Sequence, residues 1–308
     1  MHSPENSRVV GLGQACVDYL GRVPVYPEED QKVELLDIQQ QCGGPASTAM
    51  VTLARLGVKT SFLGSVSDDP FGVKIVEGLK KENNVDFRFL KITPGYTSQF
   101  AFIAISKSGG HRTIFWHRGS VPHLKPRDID ISPFSNAEIL HLDGLMVEAS
   151  IEAARQAKKL GIKVVMDAGT MREGSRELAA LTDVLIASEK FPQPLVGKNA
   201  SPENGLHALH NLGPGVVVIT MGQRGSVGWD GNNLIWQKAF PVHAVDTTGA
   251  GDVYHGAYIY GMLQGWEMRK CMRFASAASA IKCKAIGARA GIPGLKEIEA
   301  LMDSFPGI

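Results

Sequence analysis

From residue 138 to residue 220 the chain alternates between short apolar runs of strand length and amphipathic runs of helix length. Strands are expected at 138–142, 163–166, 184–186 and 216–220, with helices at 150–160, 176–181 and about 202–211 between them. Strands that return only after a helix cannot pair as hairpins, so the pattern predicts a mostly parallel sheet with helices on both faces. The segments before it fit the same plan. Residues 8–13 read as a buried opening strand, 46–56 as a helix entered through Pro45 and stopped by Gly57, 61–66 as a strand and 71–81 as a helix. After it come a β-rich stretch (226–229 and 234–236) and helices at 253–263, 268–284 and 295–303. Two pieces stand outside the alternation: a Pro- and acid-rich stretch at 20–38, and a hairpin of 99–105 with 112–116 around Ser108-Gly109-Gly110. The expectation is one α/β domain with a small β-sheet appendage built from about 16–40 and 88–118.

Composition narrows the function classes. Of 308 residues 44% are hydrophobic and 20% charged, and 32 Lys plus Arg against 31 Asp plus Glu leave a net charge of +1. With no block of one sign, a nucleic-acid surface is not expected, and small molecules are the better partners. The polar start runs directly into Val9-Val10 without a signal-peptide core, and no apolar run reaches membrane length, so the cytosol is expected. Cys16, Cys42, Cys271 and Cys283 lack the close spacing of zinc ligands and read as buried thiols. Gly11 and Gly13 invite a dinucleotide-binding reading, but Cys16 holds the third glycine's place and no helix follows.

The chemistry concentrates in Asp246-Thr247-Thr248-Gly249-Ala250-Gly251-Asp252, directly ahead of the apolar run from Val253. A tight loop stopping where a helix starts leaves the amides of Gly249 to Asp252 unbonded at a helix N-terminus, a ready anion site. Asp252 falls in the first turn, where the helix dipole favours the carboxylate. An anion cradle beside a base suits phosphoryl transfer. The plain alternative is a glycine-rich helix cap.

With these pieces in order, the sequence resembles the PfkB family of carbohydrate kinases, which includes ribokinase, fructokinase and ketohexokinase. The motifs are Gly43-Gly44-Pro45-Ala46-Ser47-Thr48-Ala49 with Leu53-Ala54-Arg55-Leu56-Gly57, and the Asp246–Asp252 loop with Gly256-Ala257. No Gly-Lys-Ser/Thr phosphate loop occurs, so phosphates must be held by backbone amides. The resemblance implies a ribokinase-like three-layer α/β fold with a β lid that often pairs between subunits, hence a homodimer. It implies ATP and magnesium, with Asp252 as base and Gly249, Ala250 and Gly251 as the anion hole. Asp18, at the end of strand one, would take sugar hydroxyls, and Gly43, Gly44 and Thr48 would lie against the sugar. Thr220, Gly222 and Gly225 would face the nucleotide, while Ser276, Ser279 and Cys283 match the adenine-flanking helix and read equally as packing residues. Backbone oxygens of Asp246 and Thr248 match positions that bind a monovalent cation, potassium, in some members.

The departures are specific. Thr48 stands where many members carry asparagine, and a hydroxyl offers fewer hydrogen bonds than an amide. Ser188-Glu189-Lys190-Phe191 replaces Asn-x-x-Glu, leaving Glu189 as the group to orient magnesium-bound water and Lys190 to meet a phosphate. These variants, with Arg289 to Pro293, are similar to a sub-branch that includes sulfofructose kinases. Lys32, and the hairpin residues His111, Arg112, His117 and Arg118, are candidates for an anionic substrate or for plain wet surface. Two rivals remain open beside a sugar kinase: a nucleoside kinase of the same fold, and a sensor that binds without turnover.

Overall fold

The computed structural model describes residues 3–308; the first two residues of the polar start lie outside the described residues. In chain order the strands and helices are β1 (Val9–Leu12), β2 (Cys16–Val23), β3 (Asp37–Gly43), α1 (Pro45–Arg55), β4 (Thr60–Val66), α2 (Pro70–Lys80), β5 (Val85–Asp86), β6 (Leu90–Ile92), β7 (Phe100–Ser106), β8 (Arg112–His117), β9 (Ile139–Leu142), α3 (Val147–Lys159), β10 (Lys163–Ala168), α4 (Ser175–Ala180), β11 (Val184–Ser188), α5 (Gln193–Val196), α6 (Pro202–His210), β12 (Val216–Thr220), β13 (Ser226–Trp229), β14 (Leu234–Gln237), α7 (Ala250–Leu263), α8 (Met268–Lys282) and α9 (Leu295–Ser304).

The main sheet runs β14-β13-β12-β11-β10-β9-β1-β4-β5, with β6 also on β4. It is parallel from β12 to β5, and β13 and β14 extend it antiparallel. Its three layers follow from the two-residue period of a strand. Val9, Ile139, Val165, Ile186 and Val218 point into a core shared with α1, α7 and α8, whereas Val10, Leu140, Val164, Leu185 and Val217 point into a second core with α3 and α6. Because both faces are covered, these strands read as continuous Val/Ile/Leu runs rather than alternating ones.

A separate four-stranded sheet has the order β3-β2-β7-β8. The hairpin forms as expected, with β7 and β8 antiparallel. Three expectations are corrected. Residues 90–92 are not in the small sheet, because β6 pairs in parallel with β4 and extends the main one. Of the two small strands that the apolar runs at 20–25 and 33–38 lead one to expect, the first begins earlier, in β2 from Cys16, and the second begins later, in β3 from Asp37 to Gly43, with Pro27 to Asp30 in the loop between them. Asp18 is not at the end of strand one but inside β2, opposite Gln41 and Ala101. Its polarity masked a strand that continues through it. Among the described residues no helix is long and apolar enough to cross a membrane.

Candidate active site

The carboxyl ends of β1, β9 and β10 converge where the chain order of the main sheet reverses, the place where parallel sheets bind ligands. A cavity of about 200 Å³ opens there, lined by Pro45, Asp143, Asp167, Thr170, Arg172 and Asp252 among others. It is smaller than the cavities that take drug-sized ligands, and its walls are polar enough for a polyol.

Asp252 enters it from the first turn of α7. Gly249 caps that helix in the left-handed region (φ 75°), and a Cβ there would press on the Ala288 backbone, so the turn needs glycine. The Ala250 amide closes the turn onto the Thr247 carbonyl at 3.2 Å. Among the described residues no acceptor is bonded to the amides of Gly249, Gly251 and Asp252. A Cβ placed on Gly251 would meet nothing within 4 Å, so the space in front of these amides is open. Of the amides from Gly249 to Asp252 expected to be open, those of Gly249, Gly251 and Asp252 are unbonded, and that of Ala250 is taken up by the turn.

The helix dipole does not decide the charge of Asp252. Burial, then the nearby Asp167 carboxylate, push its pKa up to about 7 against the opposing pull of His255 and Arg112. Two further aspartates were not anticipated from sequence. Asp143 accepts from the Gln14 and Leu145 amides at 2.6 and 3.1 Å, and burial pushes it up to about 6; burial and Asp143 push Asp167 up to about 8. Both stand at the ends of β9 and β10, so an acid closing an apolar strand was the available signal. Arg172 adds a cation to the same wall and holds Asp143 lower than burial alone would.

Asp18 is buried and accepts from the Cys16 thiol at 3.1 Å, and burial raises its pKa. A Cβ on Gly43 would collide with the Asp18 carboxylate, so only glycine lets this acid lie against the backbone. Gly44 caps α1, and Thr48, fully buried on that helix, has a hydroxyl without a hydrogen-bond partner among the described residues. These residues do not line the cavity; they adjoin it through Pro45, and the Asp18 charge also raises Asp252. Lys32 is elsewhere, exposed on the loop from β2 to β3. From the hairpin, Arg112 reaches in and donates to Thr247 Oγ1 at 2.8 Å, and the Thr247 amide bonds the Gly110 carbonyl at 3.3 Å. His111, His117 and Arg118 stay exposed.

On the neighbouring strands, Ser188 and Thr220 are register partners at the ends of β11 and β12, and Gly222 and Gly225 bracket the turn into β13. Glu189 is paired with Arg224, an exposed pair of the kind that contributes little and parts readily. Lys190 is exposed, and Phe191 is buried in the second core. Ser279 donates to the Ala250 carbonyl at 2.8 Å and Ser276 to the Lys238 carbonyl at 3.4 Å, so both hydroxyls serve the packing of α8. The Cys283 carbonyl accepts the Val245 and Asp246 amides. Asp246 is buried, and its carbonyl is occupied by the ammonium of Lys282 at 2.8 Å.

Among the described residues no three His, Cys, Asp or Glu side chains form a cluster that could hold a metal alone. Magnesium held by one carboxylate, water and substrate phosphates needs none.

The arrangement sets a buried carboxyl beside unbonded amides at a cavity wall. The model of the pfkB family carbohydrate kinases matches residues 6–295. Ribokinase of Haemophilus influenzae is 29% identical over 297 residues, covering 93% of this chain and 95% of that one. A 5-dehydro-2-deoxygluconokinase of Clostridium perfringens is 29% identical over 297 residues, covering 89% and 86%. The structure of Arabidopsis thaliana ribokinase complexed with ribose and ATP matches with a TM-score of 0.81 and 26% identity, covering 96% of this chain and 98% of that one. Sugar kinases and nucleoside kinases both occur among the similar proteins. Motifs, sheet order, the α7 loop and the match over nearly the whole length lead to one conclusion: this chain belongs to the pfkB family of carbohydrate kinases, phosphotransferases that act on hydroxyl groups.

Proposed function

We propose that the protein is an ATP-dependent sugar kinase that transfers the γ-phosphoryl group of ATP to a primary hydroxyl of a monosaccharide or sugar derivative. The observation that carries the reading is the Asp252 carboxyl at the cavity wall, directly beside the unbonded amides of Gly249, Gly251 and its own. Asp252, with its pKa near working pH, takes the acceptor's proton, and the amides receive the charge of the migrating phosphoryl. Base and amides must lie about one hydrogen bond from a shared point, which one helical turn achieves.

Asp18, Gly43, Gly44 and Thr48 receive the acceptor in this reading. An acceptor hydroxyl would supply the bond that Thr48 Oγ1 lacks once the acceptor displaces the residues that cover Thr48 here. Asp143, Asp167 and Arg172 complete the acceptor site from the opposite wall, and Arg172 favours acceptors that carry a negative charge, in keeping with a relative named for a gluconate derivative. The nucleotide lies along Ser188, Thr220 and the Gly222–Gly225 turn toward α8. Magnesium, bound to its phosphates, would meet Glu189 through water once Arg224 releases it, and would neutralise phosphate charge there. The small sheet acts as the lid. Ile38 and Phe115 are exposed on one face of it and Ile114 and Trp116 on the other, apolar surface suited to a homodimer. The protein is assigned to the cytosol, in keeping with four free thiols.

ADP formation should be followed with ribose, fructose, 5-dehydro-2-deoxygluconate and adenosine as acceptors, on wild type and Asp252→Asn. Sugar-dependent ADP that falls about 10³-fold or more in the variant, with ATP affinity kept, is the expected result. Turnover on adenosine alone would make the protein a nucleoside kinase; binding with no ADP from any acceptor would make it a sensor.

A further inference from the structure

The loop that bears the unbonded amides is stitched to the end of α8. The Val245 and Asp246 amides donate to the Cys283 carbonyl at 2.8 and 3.2 Å. Asp246 Oδ1 accepts the Thr248 amide and hydroxyl at 2.8 and 2.7 Å, and Oδ2 accepts the Gly287 amide at 2.7 Å. Inside this knot lies one cation. Lys282, the last residue of α8, is 0% exposed, and its Nζ donates to the Asp246 carbonyl at 2.8 Å.

A fully buried lysine is rare and costly, and a methionine of similar length would fill the space without that cost. Packing therefore does not account for the charge. Electrostatics does: the ammonium sits at the negative end of α8, beside the Asp246 carboxylate, with Asp252 also attracting it. Burial pushes the Lys282 pKa down, Arg112 pushes the same way, and Asp246, Cys283 and Asp252 oppose them. The backbone oxygen that the family resemblance would give to potassium is thus already bonded to a cation of the chain's own. The residues present do not fit a potassium ion at Asp246.

We infer that Lys282 is a built-in monovalent cation, a positioning residue that fixes the Asp246 carbonyl and keeps the following loop set for an anion without any added ion. The inference rests on the reading of that loop as the phosphoryl site. It gives the enzyme a turnover independent of potassium.

The test needs no variant at first. Wild-type ATP affinity and turnover are measured in potassium, sodium and tetramethylammonium buffers of equal ionic strength, and all should agree within about twofold. Lys282→Met should lower ATP affinity or turnover about tenfold or more, the scale of one lost charge-assisted bond. Lys282→Ala, which vacates the site, should recover part of that loss in potassium or ammonium and none in tetramethylammonium; a purely structural lysine would show no such rescue. Stimulation of the wild type several-fold by potassium overturns the inference whatever the variants do. So does a folded Lys282→Met with unchanged affinity and turnover, or a loss in Lys282→Ala that no small cation relieves. A wild type that binds no ATP removes the kinase reading and this inference together, whereas ATP binding with potassium stimulation removes the inference alone.

Discussion

The imidazole of His255 reaches from α7 to β10, with Nε2 3.5 Å from Asp167 Oδ1, one helical turn beyond Asp252. Its nitrogens also meet two backbone oxygens, Nδ1 with Gly251 at 2.6 Å and Nε2 with Ile186 at 3.3 Å. The ring thus ties the first turn of α7 to the strands that carry the other aspartates. Burial pushes its pKa down, while those carbonyls and Asp252 oppose the shift. A base, two acids and a histidine share one buried patch, and their ionisation sets the first two predictions.

The value of kcat/KM for the acceptor should rise with pH along a limb near 7, because Asp252 is pushed up to about 7 and acts deprotonated. Arg112 lowers the pKa of Asp252, so Arg112→Gln should move the limb to higher pH. The shift should shrink with added salt, as Arg112 is exposed. A pH–rate profile at two ionic strengths checks both statements.

Stability of the ligand-free protein should fall as pH rises from about 6.5 to about 8, above the range in which the buried His141 and His255, whose pKa values burial pushes down, act with the opposite sign. The carboxyls of Asp143, Asp252 and Asp167 are raised to about 6, 7 and 8, so between the unfolded value and these values the folded state binds more protons. Their stabilisation is full below the unfolded pKa and is lost as pH passes through each folded one. Asp167→Asn removes the highest of the three and should flatten the decline between pH 7 and 8, read from denaturant midpoints across that range.

Gly251→Ala and Gly249→Ala should separate function from fold. At Gly251 a Cβ meets nothing and φ is ordinary, so alanine should keep or slightly raise stability while its methyl stands before the amides and lowers turnover. At Gly249 the left-handed φ and the Ala288 backbone make alanine cost about 1 kcal/mol or more. Thermal unfolding and single-turnover rates on the same samples distinguish the two.

Thr48→Val keeps the shape of a buried side chain and removes an unpaired hydroxyl. Stability should be unchanged or rise by about 1 kcal/mol. KM for the acceptor should increase with ATP affinity unaffected. An unchanged KM would exclude Thr48 from acceptor binding.

Much of this molecule is written locally. The apolar runs at 138–142, 163–166, 184–186 and 216–220, separated by helix-length segments, read as buried strands, and the loop from Asp246 to Asp252 announces a helix with free amides, because both follow from neighbours within a few positions. Asp252 and the glycines before it were legible for that reason.

What lay beyond the sequence is whatever depends on residues far apart meeting. Asp143 and Asp167 become partners of Asp252 only when β9, β10 and α7 converge, and burial at that meeting point, rather than the helix dipole, sets the Asp252 pKa. Lys282 reads as an ordinary helix-end lysine until folding encloses it against Asp246, 36 positions away. Asp18 looked like a strand terminus until pairing with β3 and β7 drew the strand through it. The sequence by itself determined the layers and the anion-binding turn, since hydrophobic period and helix termini are local properties. Only the tertiary structure decided which charges face one another and at what proton affinity, because desolvation and Coulomb energy depend on distance in space and not along the chain.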